Sequence, residues 1–236
     1  LDYSKKYLYS LVNSGNLKKA FSYSKKLEKQ KIDSYESHLI TGIFYLKNSD
    51  INLAKRYFQK AKTRNSRLIL NDYVSNSLFI WSSLREYDVN QAISELNKLD
   101  KRFENFKKIQ NVFLNCHFNS LETDILFKKL TSDEKTDFSR YNYFHASYLG
   151  SSKKIEKAKE IIDLALKSFP RNLLLNQYKL DLNQDNNTSN FDCKNEGHVI
   201  AEILYITSNA LSSQSIYPLS NFYLNLAKFL NEDFHS

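Results

Sequence analysis

Five histidines and two cysteines are the side chains of this chain that are best able to bind a metal or to act in catalysis. They are His38, His117, His145, His198, His235, Cys116 and Cys193. A zinc site needs about four ligands brought together. Cys116 and His117 are adjacent and are expected to point to different faces of a helix, and no second pair accompanies Cys193 and His198. The spacing therefore predicts no metal site and no catalytic residue among them.

Two of these histidines and both cysteines have a structural interpretation. His38 and His145 fall at packing positions of predicted helices, so we interpret them as buried or half-buried structural residues. Two cysteines do not form a disulfide framework. We expect Cys116 and Cys193 to be buried apolar side chains in a reducing compartment, with a single long-range bridge as the alternative.

Acidic pairs and glycine-rich motifs are also common in enzyme active sites. Glu122 with Asp124, and Asp133 with Glu134, lie near predicted helix starts, where carboxylates complement the helix dipole. The sequence contains none of the motifs GxGxxG, GxxxxGK[ST], HExxH and GxSxG. With four glycines in the whole chain, a loop that cradles phosphate is not expected. The chain is therefore predicted to be no enzyme and to need no cofactor.

The composition favours a helical protein. The 236 residues include only four glycines and two prolines, which disfavours a turn-rich β fold. Sixteen tyrosines and sixteen phenylalanines supply a large core. No apolar run approaches the roughly 18 residues that a membrane-spanning helix needs.

One stretch, residues 37–65, shows how such helices are expected to pair. Gly42 and Tyr45 lie on a first helix, and Ala54, Phe58 and Ala61 follow on a second after a short polar break. Two helices pack closely where a side chain at the crossing is small. Gly42 and Ala54 are predicted to supply that contact, and Ser49 or Asp50 is predicted to cap the second helix.

The same pattern recurs along the chain. Ala20 lies 34 residues before Ala54, and Ala92 follows it in a slightly longer unit. A further unit carries Ala146, Ala158, Ala165 and Pro170. This pattern resembles the tetratricopeptide repeat (TPR), which has a period of 34 residues. The resemblance implies an all-α, right-handed α-solenoid of helix-turn-helix repeats, whose first helices line a concave groove.

The repeats predict the domain organisation. Residues 1–183 form an array of about five units and one extra helix, and the fourth unit, at about 103–131, is degenerate. Residues 184–197 form a polar loop or linker, and residues 198–236 form a helical pair that continues the array. The final segment resembles a family of TPR proteins from alphaproteobacteria, whose biochemical role is not established. The matching residues are Gly197, Ala201, Glu202, Leu204, Tyr205, Ala210, Tyr223, Leu226, Ala227 and Leu230.

The groove is the first candidate binding site. By the repeat register, the residues predicted to bind a peptide or partner domain there are Lys5, Tyr9, Asn13, Ile43, Lys47, Trp81, Arg85, Arg140 and Tyr143. Leu39 and Ser147 share that register. Trp81 is the only tryptophan and is either an anchor for a partner or a packing residue. The first hypothesis is therefore a non-enzymatic scaffold for protein–protein interaction.

The basic charge supports a second hypothesis. The formal net charge is +8, and lysines are frequent on the predicted second helices. Such a surface can bind RNA or another polyanion, although an AT-biased coding sequence also raises the lysine content. Acidic residues interspersed among the lysines, among them Glu28, Glu95 and Glu156, favour the scaffold hypothesis.

The ends of the chain bear on its location. It begins at Leu1 and contains no methionine, which we interpret as a processed chain or the N-terminal part of a longer protein. The prediction of reduced cysteines favours a cytoplasmic over a periplasmic location. No pattern in the sequence selects an oligomeric state or a particular partner.

Overall fold

The fold is known from a computed structural model, which describes residues 2–64, 69–133, 135–184 and 190–232. The described residues form thirteen α-helices and one short 3₁₀ helix, and they contain no β-strand, which confirms the all-α class. The α-helices are α1 (Asp2–Asn13), α2 (Leu17–Lys29), α3 (Tyr35–Lys47), α4 (Ile51–Thr63), α5 (Ile69–Trp81), α6 (Val89–Asn97), α7 (Glu104–His117), α8 (Thr123–Thr131), α9 (Tyr141–Ser151), α10 (Ile155–Ser168), α11 (Leu173–Asn183), α12 (Glu196–Ser212) and α13 (Tyr217–Leu230). No helix in these ranges is long and apolar enough to cross a membrane.

The helices belong to two compact units. Unit 1 combines the described residues up to Phe103 with those from Glu196 onward, and unit 2 spans Glu104–Asn195. In unit 1, α1 to α6 follow one another as packed neighbours, α13 packs on α1 and α3, and α12 packs on α5. In unit 2, α7 to α11 pack in chain order, and α11 also contacts α9.

Side-chain caps begin several of the helices, as their sequences suggest. Asp50 accepts a hydrogen bond from the amide of Leu53 at 3.0 Å, so it is the cap of α4. A capping box, in which the cap residue and the third helical residue bond to each other's amides, opens α3 at Ser34 and α6 at Asp88. These caps satisfy amides that have no partner within the helix.

A left-handed residue ends the first helix of most helical hairpins. The positive φ angles at these turns are 75° at Gly15, 62° at Ser49, 54° at Asn119, 59° at Lys153 and 61° at Ser215. After α3, the amide of Asp50 bonds to Tyr45 O and that of Ser49 to Leu46 O, both at 2.9 Å. The same two bonds recur at the other four turns, which is the Schellman motif. The geometry thus repeats even in the α7–α8 hairpin, where the sequence pattern is degenerate.

Gly42 has the packing role that the sequence suggests. A Cβ atom at Gly42 would lie 2.4 Å from Cε1 of Phe58, which is far closer than van der Waals contact. Phe58 and Ala54 are both fully buried. The absence of a side chain at Gly42 therefore lets α3 and α4 pack around the ring of Phe58.

The compact units divide the chain differently from the sequence-based domains. The array 1–183 is split between the units, and the α12–α13 pair packs on α1, α3 and α5 of unit 1. In the polar loop 184–197, residues 185–189 lie outside the described residues. At the end of that segment, Phe191 and Cys193 are buried, at 6% and 7% exposed. Glu134 and His235 also lie outside the described residues.

Candidate functional site

In unit 1 the candidate site is the face that α1, α3 and α5 present to α12 and α13. We call it the first-helix face of unit 1. The ring of Tyr9 on α1 meets that of Phe222 on α13 edge-on, with centroids 4.8 Å apart. Phe44 on α3 stacks with Phe229 on α13 at 6.1 Å. The face that the sequence predicts for a partner therefore holds a helix of the same chain.

Three buried polar residues join α3, α5 and α13. The hydroxyls of Tyr35 and Tyr223 are 3.3 Å apart, and Tyr223 donates to Oδ1 of Asn71 at 3.1 Å. Because Tyr223 uses its proton on Asn71, Tyr35 is the donor of the first bond. Burial raises the pKa of both hydroxyls, so they remain neutral donors. The network fixes the position of α13 along the face.

Glu36 is a buried acid at the same face. Its carboxylate accepts a hydrogen bond from the hydroxyl of Tyr9 at 3.3 Å and forms an ion pair with Lys5 at 2.7 Å. Burial, followed by the charge of Glu36, raises the pKa of the Tyr9 hydroxyl well above its usual value. Lys5 and Tyr9, both predicted groove residues, are thus brought together around one carboxylate.

Asn13 and Lys47, two further predicted groove residues, contact the backbone of α13. Nδ2 of Asn13 donates to Pro218 O at 3.5 Å, and Nζ of Lys47 donates to Leu230 O at 3.4 Å. Lys47 also forms an ion pair with Glu232 at 3.0 Å. These long bonds lie near the two ends of α13.

Of the remaining predicted groove residues of unit 1, two are in the core and one is in a turn. Ile43 and Trp81 are fully buried, as is Leu39, so they belong to the core. Of the two interpretations of Trp81, the structure agrees with packing. Arg85 is exposed and lies in the turn after α5 rather than on a helix.

In unit 2 the candidate site is the face of α7 and α9 that holds residues 190–195. We call these residues the return segment. The ring of Phe191 lies edge-on to Phe144 at 4.4 Å and tilted against Phe113 at 5.0 Å. The hydroxyl of Ser147 donates to Phe191 O at 3.3 Å. A side chain and a backbone carbonyl of the return segment are therefore both bound.

A disulfide between Cys116 and Cys193 fixes the return segment to α7, with the two Cα atoms 6.0 Å apart. The expectation of two free thiols is thus wrong, and the bridge that was kept as the alternative is present. Nδ1 of His117 lies 3.1 Å from Cys193 O, which can only accept, so Nδ1 carries the proton. Cys116 and His117 were expected to point to different faces of a helix because they are adjacent. In the structure both of them contact Cys193.

Arg140 and Tyr143 lie near Phe144 in unit 2. The guanidinium of Arg140 is 5.3 Å from the centroid of the Phe144 ring. Tyr143 is 5% exposed and packs edge-on against Phe144 and Tyr178. They support the ring that contacts Phe191, and they lie in a different compact unit from the other predicted groove residues.

A buried histidine is paired with an aspartate in the described part of each unit. Nε2 of His38 is 2.7 Å from Asp33, and Nε2 of His145 is 2.6 Å from Asp124. Burial lowers the pKa of both imidazoles, although the aspartates oppose this effect. Nδ1 of His145 is buried and has no hydrogen-bond partner in the described part of the chain. Both histidines are thus buried, as the sequence suggests.

Sequence reasoning missed several residues of these faces. They are Tyr35, Glu36, Asn71, His117 and Phe191. A signal existed for Glu36, which is the one acidic residue in α3. A signal also existed for the α7 residues, because Phe113, Cys116 and His117 recur at helical spacing and so share one face. Within the described ranges, no group of three or more histidine, cysteine or acidic side chains is placed to hold a metal.

No family model matches the chain, and no curated protein matches it significantly.

Proposed function

We propose that this protein is a non-enzymatic scaffold, related to TPR proteins, that binds polypeptide segments on the faces of its first helices. The observation that carries the proposal is the contact of first-helix side chains with backbone carbonyls of a bound segment. Ser147 and His117 bind the carbonyls of Phe191 and Cys193 at 3.3 and 3.1 Å. Backbone carbonyls are common to all sequences, so such contacts suit the recognition of a peptide.

Aromatic packing supports the same proposal. In each unit a phenylalanine of the resident segment, Phe222 or Phe191, packs against rings of the first helices. Aromatic anchors in pockets carry much of the energy of protein interfaces. A partner segment would use this arrangement after displacing the resident one.

The disulfide bears on the location that we propose. Disulfides persist in oxidising compartments, and cytosolic thiols are kept reduced. The Cys116–Cys193 bond therefore favours an oxidising compartment over the cytoplasmic location that the sequence suggests.

Ion pairs among the lysines disfavour polyanion binding as the main function. Glu28 binds both Lys25 and Lys60, and Lys55 pairs with Glu86 at 2.6 Å. Burial alone would raise the pKa of Glu28, but hydrogen bonds from the two lysines lower it to about 2. A carboxylate that stays charged at neutral pH interrupts the basic surface between α2 and α4.

A pull-down with three forms of the chain tests the proposal. They are the wild type, Tyr9→Ala/Lys47→Ala on the first-helix face, and Lys18→Glu/Lys19→Glu on the exposed side of α2. Binding to a polyanion falls steeply with salt, so each form is tested at about 100 and 400 mM salt. We expect protein partners to be retained at both concentrations and their recovery to change only with the face variant.

The opposite pattern would support the polyanion hypothesis. Nucleic acid recovered only at the lower salt, and lost with Lys18→Glu/Lys19→Glu, would contradict the scaffold proposal. The α2 variant also serves as the matched control, because it changes two charges on exposed side chains of α2.

A further inference from the structure

The disulfide of unit 2 borders a cavity of about 80 Å³ whose lining includes both Cys116 and Cys193. The rim of this cavity contains the exposed residues Ser151, Ser152 and Lys194. The two cysteines are themselves 2% and 7% exposed. The cavity therefore gives a thiol from solution a route to an otherwise covered bond.

The face around the disulfide has the features of a recognition site for a short sequence. Phe113 and Phe144 contact the ring of Phe191, Ser147 binds its carbonyl, and His117 binds the carbonyl of Cys193. The side chain of Asp192 between them is exposed and bonds to the amide of Lys194. The contacts of this face thus recognise a phenylalanine and a cysteine that are separated by one residue, which is the pattern Phe-x-Cys.

The two sulfurs differ as leaving groups. Cys116 is in the last turn of α7, where the negative end of the helix dipole disfavours a thiolate. Cys193 lies outside the helices, between Asp192 and Lys194, whose opposite charges both line the cavity, so its thiolate does not meet this penalty. A thiolate of lower pKa leaves faster in thiol–disulfide exchange. Attack is therefore favoured at Sγ of Cys116, with Cys193 as the leaving group.

We propose that the α7–α9 face of unit 2 captures a partner peptide containing Phe-x-Cys by thiol–disulfide exchange at Cys116. The peptide thiolate attacks Sγ of Cys116, a new disulfide forms, and the Cys116–Cys193 bond breaks. Cys193 leaves as a thiolate and takes up a proton. One thiol is consumed and one is released, so no other oxidant or reductant is needed. This inference rests on the proposed scaffold function and gives it a partner class.

The test uses the full, oxidised chain and a fluorescent peptide, Asn-Phe-Asp-Cys-Lys-Asn, which copies residues 190–195. The two are incubated without reductant at about pH 8, where a peptide thiol is partly ionised. Mass spectrometry then maps the adduct and the released thiol. We expect the peptide on Cys116 and a free thiol at Cys193.

Matched peptides and variants test recognition. With alanine in place of phenylalanine, we expect adduct formation to be about ten- to a hundredfold slower, since an aromatic ring is no longer buried. Ser147→Ala and His117→Gln each remove one hydrogen bond from the resident segment as well as from the peptide. The two losses oppose each other, so we expect each variant to change the rate by less than about threefold. Ser152→Ala, on the rim of the same cavity, is the control and is expected to change nothing.

Non-covalent binding separates this inference from the scaffold proposal. A peptide with serine in place of cysteine is titrated into the Cys193→Ser variant, after far-UV circular dichroism has shown that the variant is folded. Binding there without a Cys116 adduct in the oxidised wild type would overturn the capture inference and leave the scaffold proposal in place. An adduct on Cys193, or a rate independent of phenylalanine, would also overturn the capture inference.

Discussion

The two units cover their first helices in different ways. Unit 1 uses the helical pair α12–α13, which packs through Phe222 and a buried tyrosine network and needs no covalent bond. Unit 2 uses the short return segment, which has one buried ring, two carbonyl contacts and a disulfide.

The difference reflects how much surface each element can bury. Two helices bury many apolar side chains, each of which contributes about 1.5 to 3 kcal/mol. A segment of a few residues buries little surface, and it must still lose backbone freedom of about 1 to 2 kcal/mol per residue. The disulfide offsets that loss in unit 2. The comparison indicates that the segment covering the unit 2 face, unlike that of unit 1, is held by a covalent bond that a thiol can break.

The largest effect is expected from the Phe222→Ala variant in unit 1. Phe222 is fully buried, so removing its ring should lower the free energy of unfolding by about 3 to 5 kcal/mol. Trp81 is buried in the same unit, and its fluorescence in urea reports the transition. Phe229→Ala, at a partly exposed position of α13, is the control and should cost clearly less. Equal losses would mean that α13 is not held mainly through Phe222.

Reduction of the disulfide is the corresponding change in unit 2. Loss of a native bridge should lower the free energy of unfolding by about 2 to 4 kcal/mol. Urea unfolding followed by far-UV circular dichroism, with and without dithiothreitol, measures it. The Cys116→Ser variant should reproduce the effect of the reductant and be insensitive to it. A stability that reductant leaves unchanged would mean that the bridge does not hold the return segment.

Gly42→Ala tests the packing inside unit 1 and is expected to have a smaller effect. The added methyl group would overlap Phe58, so we expect a loss of about 1 to 3 kcal/mol in the Trp81 transition. Phe58→Leu combined with Gly42→Ala should cost less than the sum of the two single changes, since the smaller side chain makes room. Full additivity would contradict a contact between the two positions.

The smallest effect is expected from pH, and it compares His38 in unit 1 with His145 in unit 2. Burial lowers both pKa values, so the folded chain binds fewer protons than the unfolded chain. The free energy of unfolding is therefore not reduced by these histidines above their ordinary pKa of about 6.5, and it falls as the pH drops below that value. Urea unfolding between about pH 7.5 and 5 measures this fall.

The glutamine variants assign that pH dependence to each unit. His145→Gln and His38→Gln should each flatten the curve, because glutamine does not titrate. If neither variant changes the slope, other groups control the pH dependence. We expect the larger change from His145→Gln, because protonation would place a buried N–H at Nδ1, which has no partner in the described ranges.

Local features of this protein could be predicted from the sequence because they depend on nearby residues. The all-α class follows from scarce glycine and proline and from apolar residues at helical spacing. The cap at Asp50 and the close approach at Gly42 follow from residue type within one hairpin. The left-handed turns of the helical hairpins could not be predicted in the same way. Ser, Asn and Lys occupy four of these five hairpin positions, and glycine occupies only Gly15.

The cover of each face was decided by tertiary structure. Cys116 and Cys193 are 77 residues apart, and Tyr35 and Tyr223 are 188 residues apart. A repeat pattern with a period of 34 residues describes neighbouring helices and carries no information on which distant segment returns to them. The amphipathic stripe of α13 required a partner surface, but the sequence did not specify which one. Only the fold brought α13 to α1 and α3 and the return segment to α7 and α9, where burial of aromatic rings stabilises both.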